Sequence, residues 1–219
     1  MPGIDALDEA AALAAADTPS AAADALDHAD GIGEAIDVDR ERGRFAHWGA
    51  STIIDENTRE PVLPRALFDA LHERAALPAE WPVGNAGLLH CYGYLLSLAP
   101  TPYGLKRERW LGGDLARALG LPDDHFVPWH GGSTLLARAT DAATGLLANA
   151  EATWSGLVEE RVAAVAIGPR RGAAHALAYA LSPAAGTAPL LVTMFPVEDA
   201  DAVRTQLEGE PPRLRWNAV

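Results

Sequence analysis

With 219 residues and 49% hydrophobic content the chain can bury one sizeable core, and no linker near its middle divides it in two. Its formal net charge of -13 is uneven: residues 1–39 hold ten Asp and Glu and no Lys or Arg, while the other 180 residues hold 20 acids against 17 bases. This balance argues against general nucleic-acid binding, which needs clustered cations to neutralise phosphates, and no run of about 18 apolar residues offers a membrane span.

Cys91 is the only cysteine, so there is no intramolecular disulfide framework and no CxxC zinc site. The N-terminus lacks the basic and apolar segments of a signal peptide, and a reducing, cytoplasmic setting is expected. Sixteen arginines against one lysine, with abundant alanine, read as the bias of a GC-rich genome before they read as function. The charge break divides the chain into an acidic, Ala-rich arm, residues 1–43, weakly helical or flexible, and a single α+β domain, residues 44–219.

Within the arm, residues 4–16 and 19–29 favour helix through their alanines, with Leu7, Leu13 and Leu26 as the only large anchors. Ser20 is the expected cap of the second helix. Residues 45–54 read as a strand, 55–60 as a turn built on Asp55 and Asn57, and 61–63 as a short strand. Residues 64–76 form an amphipathic helix with Leu67, Phe68, Leu71 and Ala75 on one stripe and Pro64 in the first turn. Residues 77–86 are a Pro- and Gly-rich loop.

The stretch 88–119 holds the only cysteine, the only lysine and three of the four tyrosines. Residues 88–97 alternate as a strand: His90, Tyr92 and Tyr94 on one face, Leu89, Cys91, Gly93 and Leu95 on the other. Residues 99–102 turn the chain, and 103–110 return as a second strand in which Tyr103, Leu105, Arg107 and Arg109 share a face. Gly112, Gly113 and Asp114 open a helix that Gly120 closes after Leu119, with Asp114 as its cap. Residues 122–132 are a loop. Residues 133–140 and 145–160 read as a hairpin around Asp141–Thr144, with a helix over 134–148 as the competing reading. Strands follow at 162–167, 174–181 and 190–197, then a helix over 199–207 with Glu198 and Asp199 at its start, and a last strand at 214–218. The whole is expected to be α+β: a curved antiparallel sheet of about six to eight strands, possibly a half-barrel, covered by two or three helices.

Three groups carry chemistry. Lys106, Arg107 and Arg109 stand before the helix start at Gly112 and Gly113, a pattern suited to a carboxylate, sulfate or phosphate, since guanidinium groups grip anions bidentately and helix starts present free N–H groups. The spacing is neither GxxxxGK[ST] nor GxGxxG, and a solvated, charged edge strand is the bland alternative. His90, Tyr92 and Tyr94 could supply a general acid or base and orienting donors, against the alternative of a half-buried aromatic face. Glu159, beside Glu160 and Arg161, could face Arg107 or Arg109 as an acid/base group or as a plain ion pair. His130-Gly131-Gly132-Ser133 resembles the Gly-rich oxyanion loop of serine esterases, but no GxSxG elbow accompanies it. His130 therefore stands only as a candidate substrate contact, like Tyr103. Cys91 lies on an apolar face and reads as core. The histidines show no HxH or HExxH spacing, so no metal is assigned and no cofactor is expected.

Two functions follow as expectations. One is a small cytoplasmic enzyme acting on an anionic small molecule by non-redox acid/base chemistry, of lyase or isomerase type. The other is a non-catalytic module that binds a ligand, a protein partner or a second copy of itself through the acidic residues 1–39. Neither involves nucleic acid or a membrane.

Overall fold

A computed structural model describes residues 3–29, 31–158, 161–183 and 186–209. The acidic N-terminal stretch is built from three helices: α1 (Ile4–Ala14), α2 (Pro19–His28) and α3 (Ile32–Glu41). In α1 the buried residues Leu7, Ala10, Ala11 and Ala14 recur every three or four positions, and their small side chains let α2 lie close. Thr18, not Ser20, caps α2: its hydroxyl accepts from the Ala21 N–H at 3.3 Å, with Pro19 as the first helical residue. Helix α3 has only Ile32 and Ile36 as large buried apolar residues, and its acids gave the sequence pattern no helical signal.

The region that looked like a strand at 45–54 is a 3-10 turn over Arg44–His47 followed by a short strand, β1 (Ala50–Thr52). Trp48 turns inward between them and donates its Nε1–H to Thr140 Oγ1 at 2.9 Å. Helix α4 (Arg65–Ala75) buries Leu67, Phe68, Leu71 and Ala75 as its stripe required, with Pro64 just outside it at the N-cap. Strand β2 (Val83–Asn85) lies in the expected loop and pairs antiparallel with β1. Arg74 of α4 receives the arm: it donates to Asp37 Oδ2 at 2.8 Å and to the Gly33 carbonyl at 3.0 Å. A Cβ on Gly33 would stand 2.6 Å from the guanidinium carbon, so a larger residue there would displace the end of the Arg74 side chain.

Residues 88–97 are not a strand. They form helix α5 (Ala86–Cys91) and a 3-10 turn over Gly93–Leu96. Every residue of α5 is buried, so its apolar run carried no face information and suited a strand or a buried helix equally. Asn85 decides the matter locally: its Oδ1 accepts from the Leu88 N–H at 3.1 Å and caps the helix. Gly87 lets α5 sit against Trp48, whose ring a Cβ would meet at 2.6 Å.

Nor do residues 103–110 return as a strand. A two-residue hairpin, β3 (Pro100–Thr101) and β4 (Gly104–Leu105), turns at Pro102 and Tyr103 and leads into α6 (Glu108–Leu111). Helix α7 (Asp114–Leu119) runs between Gly113 (φ 77°) and Gly120 (φ 75°), with Asp114 as its first residue and Gly113 at the cap position. The expected hairpin at 133–160 is a helix, α8 (Leu135–Leu147), capped by Thr134. The apparent turn at Asp141–Thr144 lies inside it, because Leu135, Leu136, Ala139 and Ala143 form a buried helical stripe.

The main sheet has four antiparallel strands in sequence order: β5 (Thr153–Val158), β6 (Arg161–Ile167), β7 (His175–Leu181) and β8 (Leu190–Val197). It is an open sheet of four strands, not a half-barrel of six to eight, because the segments 45–54, 88–97 and 103–110 went to other structures. Ala174, Ala176, Ala178 and Ala180 give one face a low surface on which α5, α7 and α8 sit. The other face carries Val165, Ile167, Leu177, Tyr179 and Val192 and receives Ala200 and Leu207 of α9 (Ala200–Glu208), which Asp199 caps. Opposite Tyr179 and Ala180, Thr193 and Leu191 leave Val192 unmatched, a bulge in the edge strand β8. The expected strand at 214–218 lies outside the described residues.

His72 ties α4 to β2. Its Nδ1–H donates to the Phe68 carbonyl at 2.8 Å, which makes Nε2 the acceptor for the Asn85 N–H at 3.2 Å. Burial holds the imidazole below its ordinary pKa, against smaller opposing effects of the Phe68 carbonyl and Asp69. The unfolded chain therefore takes up the proton first on acidification. The stability His72 contributes is complete above about pH 6.5 and is lost as the pH falls below it. We expect His72→Leu to cost about 1–3 kcal/mol at pH 7.5 by stranding the Asn85 N–H. Urea titrations from pH 7.5 to 5 should also show a flatter pH dependence than wild type; an unchanged slope would count against this assignment.

Candidate functional site

Four of the expected site residues meet where α5, the turn after it and α6 pack against the bulged edge of β8. His90 stands in the last turn of α5 and Tyr94 in the 3-10 turn that follows, and their ring centroids are 4.8 Å apart. The pairing arises from four-residue helical spacing and not from a strand face. Lys106 and Arg109 reach the same place from the start of α6. Ser51 of β1, Asp55 of the following turn, and Thr193 and Phe195 of β8 complete the cluster.

Arg109 is its centre. The guanidinium carbon lies 5.2 Å from the Tyr94 ring centroid and 5.7 Å from that of Phe195, so two aromatic rings attend it. Nη1 donates to Thr193 Oγ1 at 3.1 Å. Among the described residues no carboxylate pairs with Arg109, and its Nε and Nη2 have no hydrogen-bond partner. The side chain is only partly buried. Burial lowers its pKa, with Tyr94 and Cys91 acting the other way, but a guanidinium stays charged at neutral pH.

Lys106 is in a different state. Its Nζ stands 2.5 Å from Asp55 Oδ2, and the Asp55 side chain is 1% exposed. Asp55 Oδ1 accepts from the Asn57 and Thr58 N–H groups at 2.9 and 3.0 Å. Burial would raise the Asp55 carboxyl, but the bond to Lys106 and these N–H groups outweigh it and hold its pKa below the ordinary value. Lys106 also lies 5.6 Å over the Tyr94 ring.

His90 is 4% exposed and in contact with Ser51 Oγ through Nε2 at 3.2 Å. Burial first, then the charges of Arg109 and Lys106, push its pKa well below the ordinary value, so the ring is neutral at pH 7. The Tyr94 hydroxyl has no hydrogen-bond partner among the described residues. Burial raises its pKa; Arg109 pulls it down and Asp55 raises it further. A cation held beside a free phenol and a neutral imidazole can fix an anion and offer it a proton donor.

The other expected residues lie elsewhere. Tyr92 turns the opposite way and donates its hydroxyl to Asp39 Oδ2 in a short hydrogen bond. Asp39 is wholly buried and its Oδ1 accepts from Arg44 Nη1 and Thr134 Oγ1, both at 2.7 Å. Arg107 is taken by the arm: Nη2 stands 2.5 Å from Asp8 Oδ1 of α1, while Nη1 is buried without a hydrogen-bond partner among the described residues. Tyr103 is 77% exposed at the hairpin tip. At Gly112 and Gly113 the helix start faces Arg117, which donates to the Gly112 carbonyl at 3.3 Å. His130 is exposed and pairs with Asp124 at 2.8 Å. Glu159 lies outside the described residues. Cys91 is buried and its thiol pKa is raised strongly by that burial.

Ser51, Asp55, Thr193 and Phe195 escaped the sequence reading. Asp55 was legible only as a turn residue, and nothing in a strand sequence says which segment will pack beside it. Among the described residues no three His, Cys, Asp or Glu side chains gather as a metal-ligand group, and no helix is long and apolar enough to cross a membrane. Comparison of the chain with protein-family models, with curated proteins and with solved structures finds no match.

The Asp55–Lys106 pair should be visible in acid. A depressed carboxyl pKa gives stability that is complete above about pH 4 and is lost as the pH falls through the folded-state value. We expect Asp55→Asn to cost about 1–3 kcal/mol at pH 7 and to remove part of this acid sensitivity in urea titrations between pH 5 and 2.5. Wild-type stability in the variant at pH 7 would show that the pair contributes nothing.

Proposed function

We propose that the chain is a small cytoplasmic enzyme that binds an anionic small molecule at Arg109 and moves a proton on it without redox chemistry, as a lyase or an isomerase does. One observation carries the reading: a cation attended by two aromatic rings, with no carboxylate partner among the described residues, stands beside a phenol whose hydroxyl has no described hydrogen bond. Proteins pair the charges they bury, so a half-buried guanidinium left with open donors is a place for a ligand's charge. Tyr94 is the favoured proton donor because its hydroxyl makes no other described contact. Neutral His90, hydrogen-bonded to Ser51, is placed to take up a proton when an anion raises its basicity. The buried, lone Cys91 is in keeping with a reducing compartment.

The burial of His90 favours a second reading, a binding module without turnover, in which the ring only supports Tyr94. One experiment separates the two. Purified protein is incubated with a small-molecule extract of its own organism, and anions are followed by mass spectrometry. Catalysis predicts that at least one anion is converted, either to a product of equal mass or to two fragments. Tyr94→Phe should then slow conversion about 100-fold or more, and Arg109→Gln should weaken binding about tenfold or more. Retention of an anion without conversion would establish the binding module. If no anion is either retained or converted, the site reading fails.

A further inference from the structure

The charges and donors around Arg109 narrow the ligand's class, an inference that rests on the anion site proposed above. Asp55 stands 2.5 Å from Lys106 and cancels its charge. His90 is neutral in its buried position. No carboxylate pairs with Arg109 among the described residues: Asp8 pairs with Arg107, and the Glu108 carboxylate lies against Gly104, where a Cβ would come within 1.9 Å of it. Among the described residues the cluster therefore holds one uncompensated positive charge, that of Arg109.

The donors point the same way. The Tyr94 and Phe195 rings attend the guanidinium, and Nη1 is bound to Thr193 at 3.1 Å. Of the five N–H groups one serves Thr193, and among the four left Nε–H and one N–H of Nη2 lie side by side in the guanidinium plane. That parallel pair matches the two oxygens of a planar carboxylate. A tetrahedral dianion would bring a second negative charge, for which the cluster holds no second open cation, since Lys106 is paired with Asp55. We infer that the site takes a monocarboxylate, held by the side-on fork of Arg109, with the Tyr94 hydroxyl as the third donor.

The test titrates the full chain with acetate, benzoate, phosphate and sulfate at pH 7 and constant ionic strength. Calorimetry reads affinity, and the arginine Nε–H resonances in ¹⁵N spectra read the site. Acetate or benzoate should shift one such resonance saturably, with a Kd at least tenfold below that of phosphate or sulfate. The resonance should be the one missing in Arg109→Lys, a variant that keeps the charge but not the fork and should bind carboxylate at least tenfold more weakly. Phosphate or sulfate binding as tightly as the carboxylates would overturn the carboxylate assignment and leave the anion site standing. Saturable binding by none of the four would overturn both. Should Arg109→Lys fail to fold, the selectivity of the wild-type protein decides the question alone.

Discussion

The single helical turn and a half from Ala86 to Cys91 has no side facing solvent. Its polar groups therefore need partners inside the protein, and the partners that they find organise the middle of the fold. Asn85 caps the helix with its Oδ1 and uses its Nδ2 to bond the Phe45 and Trp48 carbonyls at 3.1 and 3.3 Å, fixing the 3-10 turn before β1. The His90 carbonyl receives Trp110 Nε1 at 2.6 Å, which anchors α6. The His90 ring meets Ser51 of β1, and Tyr92, the residue after the helix, reaches Asp39 of α3. Without this buried helix, neither α6 with its Arg109 nor the turn with Tyr94 has a fixed position against β8.

Electrostatics finishes what burial begins, and it does so unequally. The acidic N-terminal helices are matched by arginines of the body: Asp8 by Arg107, Asp37 by Arg74, and Asp39, fully enclosed, by Arg44 with two hydroxyl donors. Asp17 does similar service by accepting the Ala66 N–H at 2.7 Å at the start of α4. A buried carboxylate without such partners would be strongly destabilising, so these contacts hold the three helices in a defined seat despite their small apolar faces. Lys106 is satisfied in the same manner by Asp55. Arg109 differs from Lys106: it is held by a hydroxyl and two aromatic rings, which orient it without neutralising it.

The site lies at an irregularity. Val192 is the extra residue of a bulge in the edge strand, and Thr193 and Phe195, the two β8 residues that hold Arg109, follow it directly. A bulge shifts the alternation of a strand by one place and re-aims the side chains beyond it. Beyond the bulge Thr193 stands opposite Tyr179 and Phe195 opposite Leu177.

How much of this was legible depended on how local the cause was. Helix α4, the strands β6, β7 and β8, and α9 follow from short-range pattern: a helical stripe, alternation between polar breaks, and an Asp at a helix start. The charge break at residue 40 and the outstanding character of 88–119 are likewise sequence properties, and so is the mere presence of His90, Tyr94, Lys106 and Arg109 within twenty residues of one another. The face assignments at 88–97 were not legible, because a fully buried segment is apolar in every direction and its period is silent. Nor was α8 clear, since alanine and leucine fit a helix and a hairpin alike until the Thr134 cap and the sheet beneath choose. Only tertiary structure separated the three cations of 106–109. Sequence gives each the same charge, but whether Asp8, Asp55 or no acid stands beside it depends on which distant segment packs there. That packing leaves Arg109 as the one open guanidinium of the three among the described residues.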